Sequence, residues 1–142
     1  MKNKKHQTKS QAFAIKKVKA AGLQLTRHRV AIAARLFRGP DRHITAEQLY
    51  SEMNSDEVKV SLATVYNTLN QFTKAGLLRE LAVNSHRSYF DTNIDKHHHF
   101  FFEESGKLED VPEQNLHIEK LPKPPLGTQI SSVGVIIRLS KL

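Results

Sequence analysis

The stretch SLATVYNTLNQFTKAG, residues 61–76, decides the fold because it carries helix signals at both ends and along its length. Ser61 is a residue type that caps helix N-termini, and Gly76 is one that ends helices. Its apolar residues recur at helical spacing: Leu62, Val65, Leu69 and Phe72. Hydroxyl and amide side chains occupy the opposite face. The stretch therefore predicts an amphipathic helix that presents a polar, nearly uncharged face to a ligand.

Two further helices are predicted upstream of this one. In TRHRVAIAARLF, Thr26 is the expected N-cap, and Gly39 with the following proline ends the helix. The expected inward stripe of that helix is Val30, Ala33, Ala34 and Phe37. Thr45 begins TAEQLYSEM, with Gln48 three residues later at the position that completes a capping box. Three short helices in succession indicate a helix-turn-helix unit.

A hairpin follows the third helix. The segments LRELAV, residues 78–83, and SYFDT, residues 88–92, read as strands joined by a short polar loop. Three helices and a basic hairpin predict a winged helix-turn-helix, with residues 61–75 as the helix that reads the major groove of double-stranded DNA. The predicted DNA-contacting residues are Arg27, Arg29, Ser61, Thr64, Tyr66, Asn67 and Arg87. The alternative is a helical protein-interaction domain whose polar face is solvated.

Charge favours the nucleic-acid interpretation. The net charge is +8, and residues 1–92 hold 16 Lys+Arg against 7 Asp+Glu, whereas residues 93–142 hold 6 against 7. The first carboxylate in the chain is Asp41, which follows eleven basic residues. Such a distribution is an electrostatic footprint for a polyanion. The first nine residues alone would be a solvated basic tail.

The C-terminal fifty residues are predicted to form a small α/β dimerisation domain. HFFFE and KLEDV flank a Ser105-Gly106 turn as a hairpin, Pro112 opens a short helix, and TQISSVGVIIRLS, residues 128–140, reads as a final strand. A sheet this small buries few apolar side chains by itself, so a homodimer is expected. The predicted fold class is α+β, with a DNA-binding domain over residues 1–92 and a dimerisation domain over residues 93–142.

Composition excludes several classes of protein. The chain has no cysteine, so disulfides and thiolate zinc sites are impossible, and any metal must be held by nitrogen and oxygen. No signal peptide and no membrane-spanning run is recognisable, which predicts a soluble, cytoplasmic protein without a membrane partner. A metal-dependent hydrolase is the main rival class, and an architectural DNA binder without a sensor is a third. An enzyme is not favoured, because no helix carries paired histidines at metal-binding spacing.

Several motifs together resemble the ferric uptake regulator family. They are AGLQLTRHRVAI, HITAEQLY, SLATVYNTLNQFTKAGLL and YFDTNIDKHHHF, and the similarity runs from about Gly22 onward. Within the family, DTNIDKHHHFFFEESG, DVPEQNLHI and LPKPPLGTQI most resemble the iron response regulator branch of alphaproteobacteria. The resemblance implies a dimeric winged-helix transcriptional regulator, mainly a repressor, of iron and haem metabolism genes.

The resemblance also implies a sensory metal site for Fe(II), Mn(II) or Zn(II). Carried over by position, its ligands are His43, Asp91, His99 and Asp110, in which aspartate stands twice where glutamate is usual. Two imidazoles and two carboxylates are a suitable donor set for these ions. The other sites of the family are degraded. Its cysteine zinc site falls on residues such as Phe102 and Ser105, and its second histidine site falls on Lys96, His98, His117 and Val133.

The run His97-His98-His99 has two possible roles. In an extended segment alternate side chains share a face, so His97 and His99 point one way and His98 the other. In the branch that the chain resembles, this run is implicated in haem binding, and imidazole is a suitable axial ligand. Haem from solution or from a haem-delivering protein would then release a repressor that is active when iron is scarce. The alternatives are a repressor activated by bound metal, and a solvated run in which only His99 is a ligand.

Overall fold

The computed structural model describes residues 9–142 and divides into two compact units, the first ending at Ile94 and the second running from Asp95 to Leu142. The sequence placed the domain boundary at residues 92 and 93. Most of the predicted basic tail, residues 1–8, lies outside the described residues. Each unit has its own three-stranded sheet.

The first unit contains four helices and three strands among its described residues. The helices are α1 (Lys9–Ala20), α2 (Arg27–Leu36), α3 (Ala46–Met53) and α4 (Leu62–Lys74). The strands are β1 (His43–Ile44), β2 (Arg79–Asn84) and β3 (Arg87–Asp91), arranged in the antiparallel order β1-β3-β2. This arrangement confirms the predicted winged helix-turn-helix, with β2 and β3 as the wing.

Local capping signals explain where the helices begin and end. The Thr26 hydroxyl accepts a hydrogen bond from the Arg29 amide at 3.2 Å, and Thr45 forms the complete capping box with Gln48. Ser61 caps α4. The chain leaves α4 through Gly76, whose φ of 82° is a left-handed conformation that disfavours side chains with a Cβ. All of these boundaries follow from the sequence pattern.

The sequence did not identify α1 as a separate element or β1 as a strand. Helix α1 packs on α2 and buries Ala14 and Val18 completely. Its Lys17 ammonium lies 4.3 Å from the centroid of the Phe37 ring, within the range of a cation–π contact. Four of the twelve residues of α1 are lysines, and they interrupt its narrow apolar face.

Packing of α1 also rotates the buried face of α2 relative to the prediction. The fully buried residues of α2 are Ile32, Ala33 and Leu36, whereas the predicted Val30, Ala34 and Phe37 are half-buried. The buried stripe is shifted because α2 packs against α1 as well as against α3 and α4. On α4 the prediction was closer: Val65, Leu69 and Phe72 are fully buried, and Leu62 is half-buried.

The second unit is a three-stranded mixed sheet. Its strands are β4 (His97–Phe102), β5 (Leu108–Pro112) and β6 (Ile136–Leu139), in the order β5-β4-β6. Strands β4 and β5 form the predicted antiparallel hairpin around the Ser105-Gly106 turn, and β6 runs parallel to β4. The central position of β4 places the histidine run in the middle of the sheet.

Two predicted elements of the second unit are shorter than expected. The helix after Pro112 is a single 3-10 turn, Glu113–Asn115, and the final strand comprises only Ile136–Leu139 of residues 128–140. No side chain caps that turn, and isolated helices this short are marginal without a core to cover. The intervening residues, 116–135, expose Ile118, Leu121, Leu126, Ile130 and Val133.

Candidate metal centre and DNA-facing surface

The solvent side of α4 carries the polar residues that the sequence assigned to DNA contact. Tyr66 and Asn67 are exposed, as are Asn70 and Gln71 one turn later. Thr64 is half-buried, and its backbone amide and hydroxyl are both hydrogen-bonded to the Ser61 hydroxyl at the cap. The exposed face therefore offers amides and a phenol, which are groups suited to base edges, rather than charges alone.

Arg29 has a structural partner on α4. Its Nε and Nη2 groups donate to the Gln71 side-chain oxygen at 3.2 and 3.1 Å, and its Nη1 donates to the Gln24 carbonyl at 2.8 Å. Three of the five guanidinium donors are thus engaged within the unit. Arg29 holds α2 against α4 in addition to any phosphate contact, whereas Arg27 and Arg87 are exposed side chains.

Tyr66 is tied to α3. Its hydroxyl donates a hydrogen bond to the carboxylate of Glu47, in the first turn of α3, and the side chain is 38% exposed. The hydrogen bond to Glu47, followed by burial and the carboxylate charge, raises the pKa of Tyr66 above its usual value. The phenol therefore keeps its proton at neutral pH. The sequence named Tyr66 as a DNA-contacting residue but gave no signal for Glu47.

In the first unit, His43 and Asp91 face each other across paired strands. They are register partners of β1 and β3, and His43 Nε2 lies 3.1 Å from Asp91 Oδ2. Asp91 is 1% exposed, and its other oxygen accepts a hydrogen bond from the Asn93 amide at 2.9 Å. A buried carboxylate is costly unless positive charge or donors compensate it. The pair thus presents one imidazole nitrogen and one carboxylate oxygen side by side.

In the second unit, two histidines converge on one aspartate. His97 Nε2 and His99 Nε2 lie 3.3 and 3.5 Å from the same oxygen, Asp110 Oδ1, and all three residues are able to offer a ligand atom within 4.8 Å of the others. Antiparallel pairing of β4 with β5 places His99 directly opposite Asp110. His97 joins them because residues two apart on a strand share a face.

The ring of His97 is already oriented for a metal. Its Nδ1 contacts the backbone carbonyl of Asp95, which can only accept a hydrogen bond, so Nδ1 carries the proton. In the neutral form of that ring the lone pair is on Nε2, the atom directed at Asp110. A ligand histidine whose other nitrogen donates to a carbonyl is the usual arrangement in metal sites. Sequence reasoning did not include His97 among the metal ligands, although the alternation of faces that it identified was the necessary signal.

The distances in both units fit coordination of a divalent ion. Bonds of about 2.0–2.2 Å that meet at 90–110° place neighbouring ligand atoms roughly 2.8–3.6 Å apart. The separations of 3.1 Å in the first unit and of 3.3 and 3.5 Å in the second lie in that range. The donors are imidazole nitrogens and carboxylate oxygens throughout, which suit Fe(II), Mn(II) and Zn(II).

His98 differs from its two neighbours. It lies on the other face of β4, and its Nδ1 accepts a hydrogen bond from the Val135 amide at 3.1 Å. All three histidines are buried, with His97 and His98 each 7% exposed and His99 2% exposed. The alternative in which His97 and His98 form a solvated stretch is therefore wrong, since both side chains are buried in the central strand of the sheet, which pairs with β5 and β6 along its two edges.

The described helices include none that is long and apolar enough to cross a membrane.

A winged helix-turn-helix whose chain also carries a histidine and aspartate centre defines the class of metal-responsive transcriptional regulators. The chain belongs to the ferric uptake regulator family, whose sequence model matches residues 20–135. Because the members of this family are transcription regulators, the assignment does not favour the alternative of a metal-dependent hydrolase. The match covers most of the DNA-binding unit and all of the strands β4 and β5.

Individual relatives agree with this assignment. The chain is 34% identical over 108 residues to the peroxide-responsive repressor PerR of Staphylococcus aureus, covering 75% of this chain and 72% of the relative. Its fold is similar to the ferric uptake regulator of Pseudomonas aeruginosa with manganese, with a TM-score of 0.70, 24% identity, and coverage of 90% and 97% of the two chains. The Vibrio cholerae ferric uptake regulator gives a TM-score of 0.68 at 23% identity, with coverage of 89% and 98%. These comparisons identify the family, but they do not identify the iron response regulator branch within it.

Proposed function

We propose that the protein is a DNA-binding transcriptional repressor that acts as a homodimer and responds to a divalent metal ion. The observation that carries the metal response is the convergence of His97 and His99 on a single oxygen of Asp110. The family assignment and the polar exposed face of α4 support the DNA-binding part.

We propose further that His43 and Asp91 bind the same ion as the second-unit cluster. The pair in the first unit alone would give an ion two protein ligands, and the cluster in the second unit alone would give it three. Together they supply three imidazoles and two carboxylates. Five nitrogen and oxygen ligands favour Fe(II) or Mn(II) over zinc, which usually takes four. The proposed ligands are His43, Asp91, His97, His99 and Asp110, which adds His97 to the set implied by the family resemblance.

Metal binding is expected to strengthen DNA binding. An ion with two positive charges raises the net charge of a chain that is already basic, and this favours contact with phosphates. An ion that fixed the linker between the two units would also lower the conformational entropy lost on DNA binding. Both effects strengthen DNA binding, so we propose that the metal-loaded form is the repressor.

Homodimerisation is supported by the apolar surface of the second unit. Its described residues bury Phe101, Leu108 and Val111, yet residues 116–135 expose five large apolar side chains. Exposed apolar area on this scale is typical of an interface. A dimer also suits an operator with two half-sites, whose centres lie roughly 34 Å, one helical turn, apart.

The sequence also predicts control by iron scarcity and haem. Under that hypothesis His97, His98 and His99 supply axial ligands to haem iron. Their burial weighs against it, because the groups that cover the three side chains would have to move before haem reached them, and His98 Nδ1 would have to give up the hydrogen bond from the Val135 amide. A haem response therefore requires a larger rearrangement than a metal response.

A peroxide response is a second candidate for the same site. The Staphylococcus aureus relative is named a peroxide-responsive repressor. The side chain of Asp110 is 37% exposed, so small solutes have access to the edge of the cluster. An Fe(II) ion there would be able to react with hydrogen peroxide, whereas Mn(II) would be far less reactive.

The test begins with selection of binding sequences from a random duplex library. Affinity for the selected duplex is then measured with chelator, Mn(II), Fe(II), Fe(II) with peroxide, and haem. We expect Mn(II) and Fe(II) to tighten binding at least tenfold, and log affinity to fall with log salt at a slope of about −5 to −9, for roughly 6–10 phosphates neutralised. Absence of any sequence enrichment would contradict the proposal, and loss of affinity with haem but not with chelator would favour the haem alternative.

A further inference from the structure

The contact between Tyr66 and Glu47 has a consequence for base recognition that rests on the proposed DNA-binding function. A phenol has one proton to donate and lone pairs that accept. In this structure the proton is directed at the Glu47 carboxylate. The part of the hydroxyl that remains for a ligand is therefore its oxygen lone pairs, and these can only accept.

Glu47 is well placed to hold Tyr66. It lies in the first turn of α3, where the helix dipole favours a carboxylate, and α3 packs against α4. A charged acceptor makes a stronger hydrogen bond than a neutral one. The elevated pKa of Tyr66 agrees with a proton held by this carboxylate. Both side chains are exposed, so the pair lies at the surface with the other polar residues of α4.

In the major groove, adenine N6 and cytosine N4 are donors, whereas guanine O6 and N7 and thymine O4 are acceptors. An oxygen that only accepts distinguishes these two groups. We propose that Glu47 is a specificity-determining residue, which fixes Tyr66 as an acceptor and so selects adenine or cytosine at the base that Tyr66 contacts. Glu47 acts through Tyr66 in this scheme and is a positioning residue rather than a direct base contact.

Substitution of Glu47 by glutamine gives the sharpest test. A glutamine amide is able to donate to the Tyr66 oxygen as well as to accept from it, so the phenol proton becomes free to point outward. Preference for adenine or cytosine at one position should then fall roughly 3- to 10-fold, the value of one net hydrogen bond, and guanine or thymine should rise at that same position. Tyr66→Phe keeps the ring and removes the hydroxyl, so it should abolish the preference at that position without reversing it.

A matched control separates base preference from charge. Glu57→Gln removes one negative charge from the exposed turn after α3 and leaves α4 unchanged. It should raise affinity for all duplexes alike and leave base preference as in wild type. Circular dichroism and thermal unfolding of each variant show whether α3 and α4 remain intact.

The experiment is duplex selection and sequencing with the full chain loaded with Mn(II), for wild type and the three variants. The proposal is supported if Glu47→Gln and Tyr66→Phe change preference at one common position. It is overturned if Glu47→Gln matches wild type, or if Tyr66→Phe retains a preference that Glu47→Gln loses, since Glu47 would then contact the base directly. Wild type that enriches no sequence contradicts the proposed function, whereas enrichment with unchanged variants contradicts only the role of Glu47.

Discussion

The two units of the chain differ in how completely each buries its own apolar residues. In the first, the helices and the wing enclose a core that includes Ile32, Leu36, Leu69 and Phe72, all fully buried. In the second, three strands bury a few residues while Leu126 and other large side chains of residues 116–135 remain exposed. Where a core closes within the unit, local signals define the elements. Where it does not, regular structure fails to form in the segment.

The first prediction tests how much the buried core of the first unit contributes to stability. Phe72 is fully buried, and its ring centroid lies 6.5 Å from that of Phe37. Phe72→Ala therefore leaves a cavity in the core against which α4 packs. We expect a loss of about 3–5 kcal/mol in the free energy of unfolding, measured by urea denaturation. Phe13→Ala is the control, because Phe13 is 48% exposed and its removal should cost far less. Equal losses for both variants would show that α4 does not pack as described.

The second prediction concerns the metal ligands. His99→Ala should reduce Mn(II) affinity roughly 100-fold or more, beyond the 10- to 100-fold typical of a residue that only orients a ligand. His97→Ala should have an effect of the same order. His117→Ala is the control, an exposed histidine of the same unit outside the cluster. Titration calorimetry at fixed pH gives both affinity and the number of ions per chain.

The same measurement on the His43→Ala variant of the full chain decides whether one ion is bound by the ligands of both units. If one ion is bound by both sets of ligands, wild type binds one Mn(II) per chain at the site and His43→Ala weakens it as strongly as His99→Ala. Normal affinity in His43→Ala would show that the second-unit cluster binds metal alone.

How much the sequence predicted follows from the same contrast. The caps at Thr45 and Ser61 and the end of α4 at Gly76 are local, so the winged helix was predictable. His97 was left out of the metal site because the ligand set implied by the family resemblance includes only His99 of the run, although His97 shares a face of β4 with His99 and lies beside the same Asp110 oxygen. Glu47 was missed because its partner on α4 is distant in sequence, and only packing of α3 against α4 brings them together.

A third prediction sharpens the contrast at the exposed apolar segment. Ile130→Asp places a charge among the apolar side chains of residues 116–135 and should weaken self-association about tenfold, without lowering the helical content of the first unit. Sedimentation at several protein concentrations measures this effect. Ser132→Asp adds the same charge at an exposed polar position two residues away. Dimers that tolerate both changes equally would mean that another surface forms the interface.

The smallest expected effect concerns a helix cap. Thr45→Ala removes the capping box of α3, in which the Thr45 hydroxyl and the Gln48 side chain each accept a backbone amide proton. Stability should fall by about 1 kcal/mol. Thr45→Ser retains the hydroxyl and should restore most of it, as seen by thermal unfolding. A loss that serine fails to restore would point to the threonine methyl group rather than to the cap.

The central claim is that metal binding and DNA binding stabilise the same state of the protein, and thermodynamic linkage tests it directly. Mn(II) affinity is measured for the full chain with and without a saturating selected duplex, at one salt concentration. Coupling is reciprocal, so the duplex should tighten Mn(II) binding by the same factor, at least tenfold, by which Mn(II) tightens DNA binding. Mn(II) affinity that is unchanged by the duplex, in a protein that binds both ligands, would contradict the account.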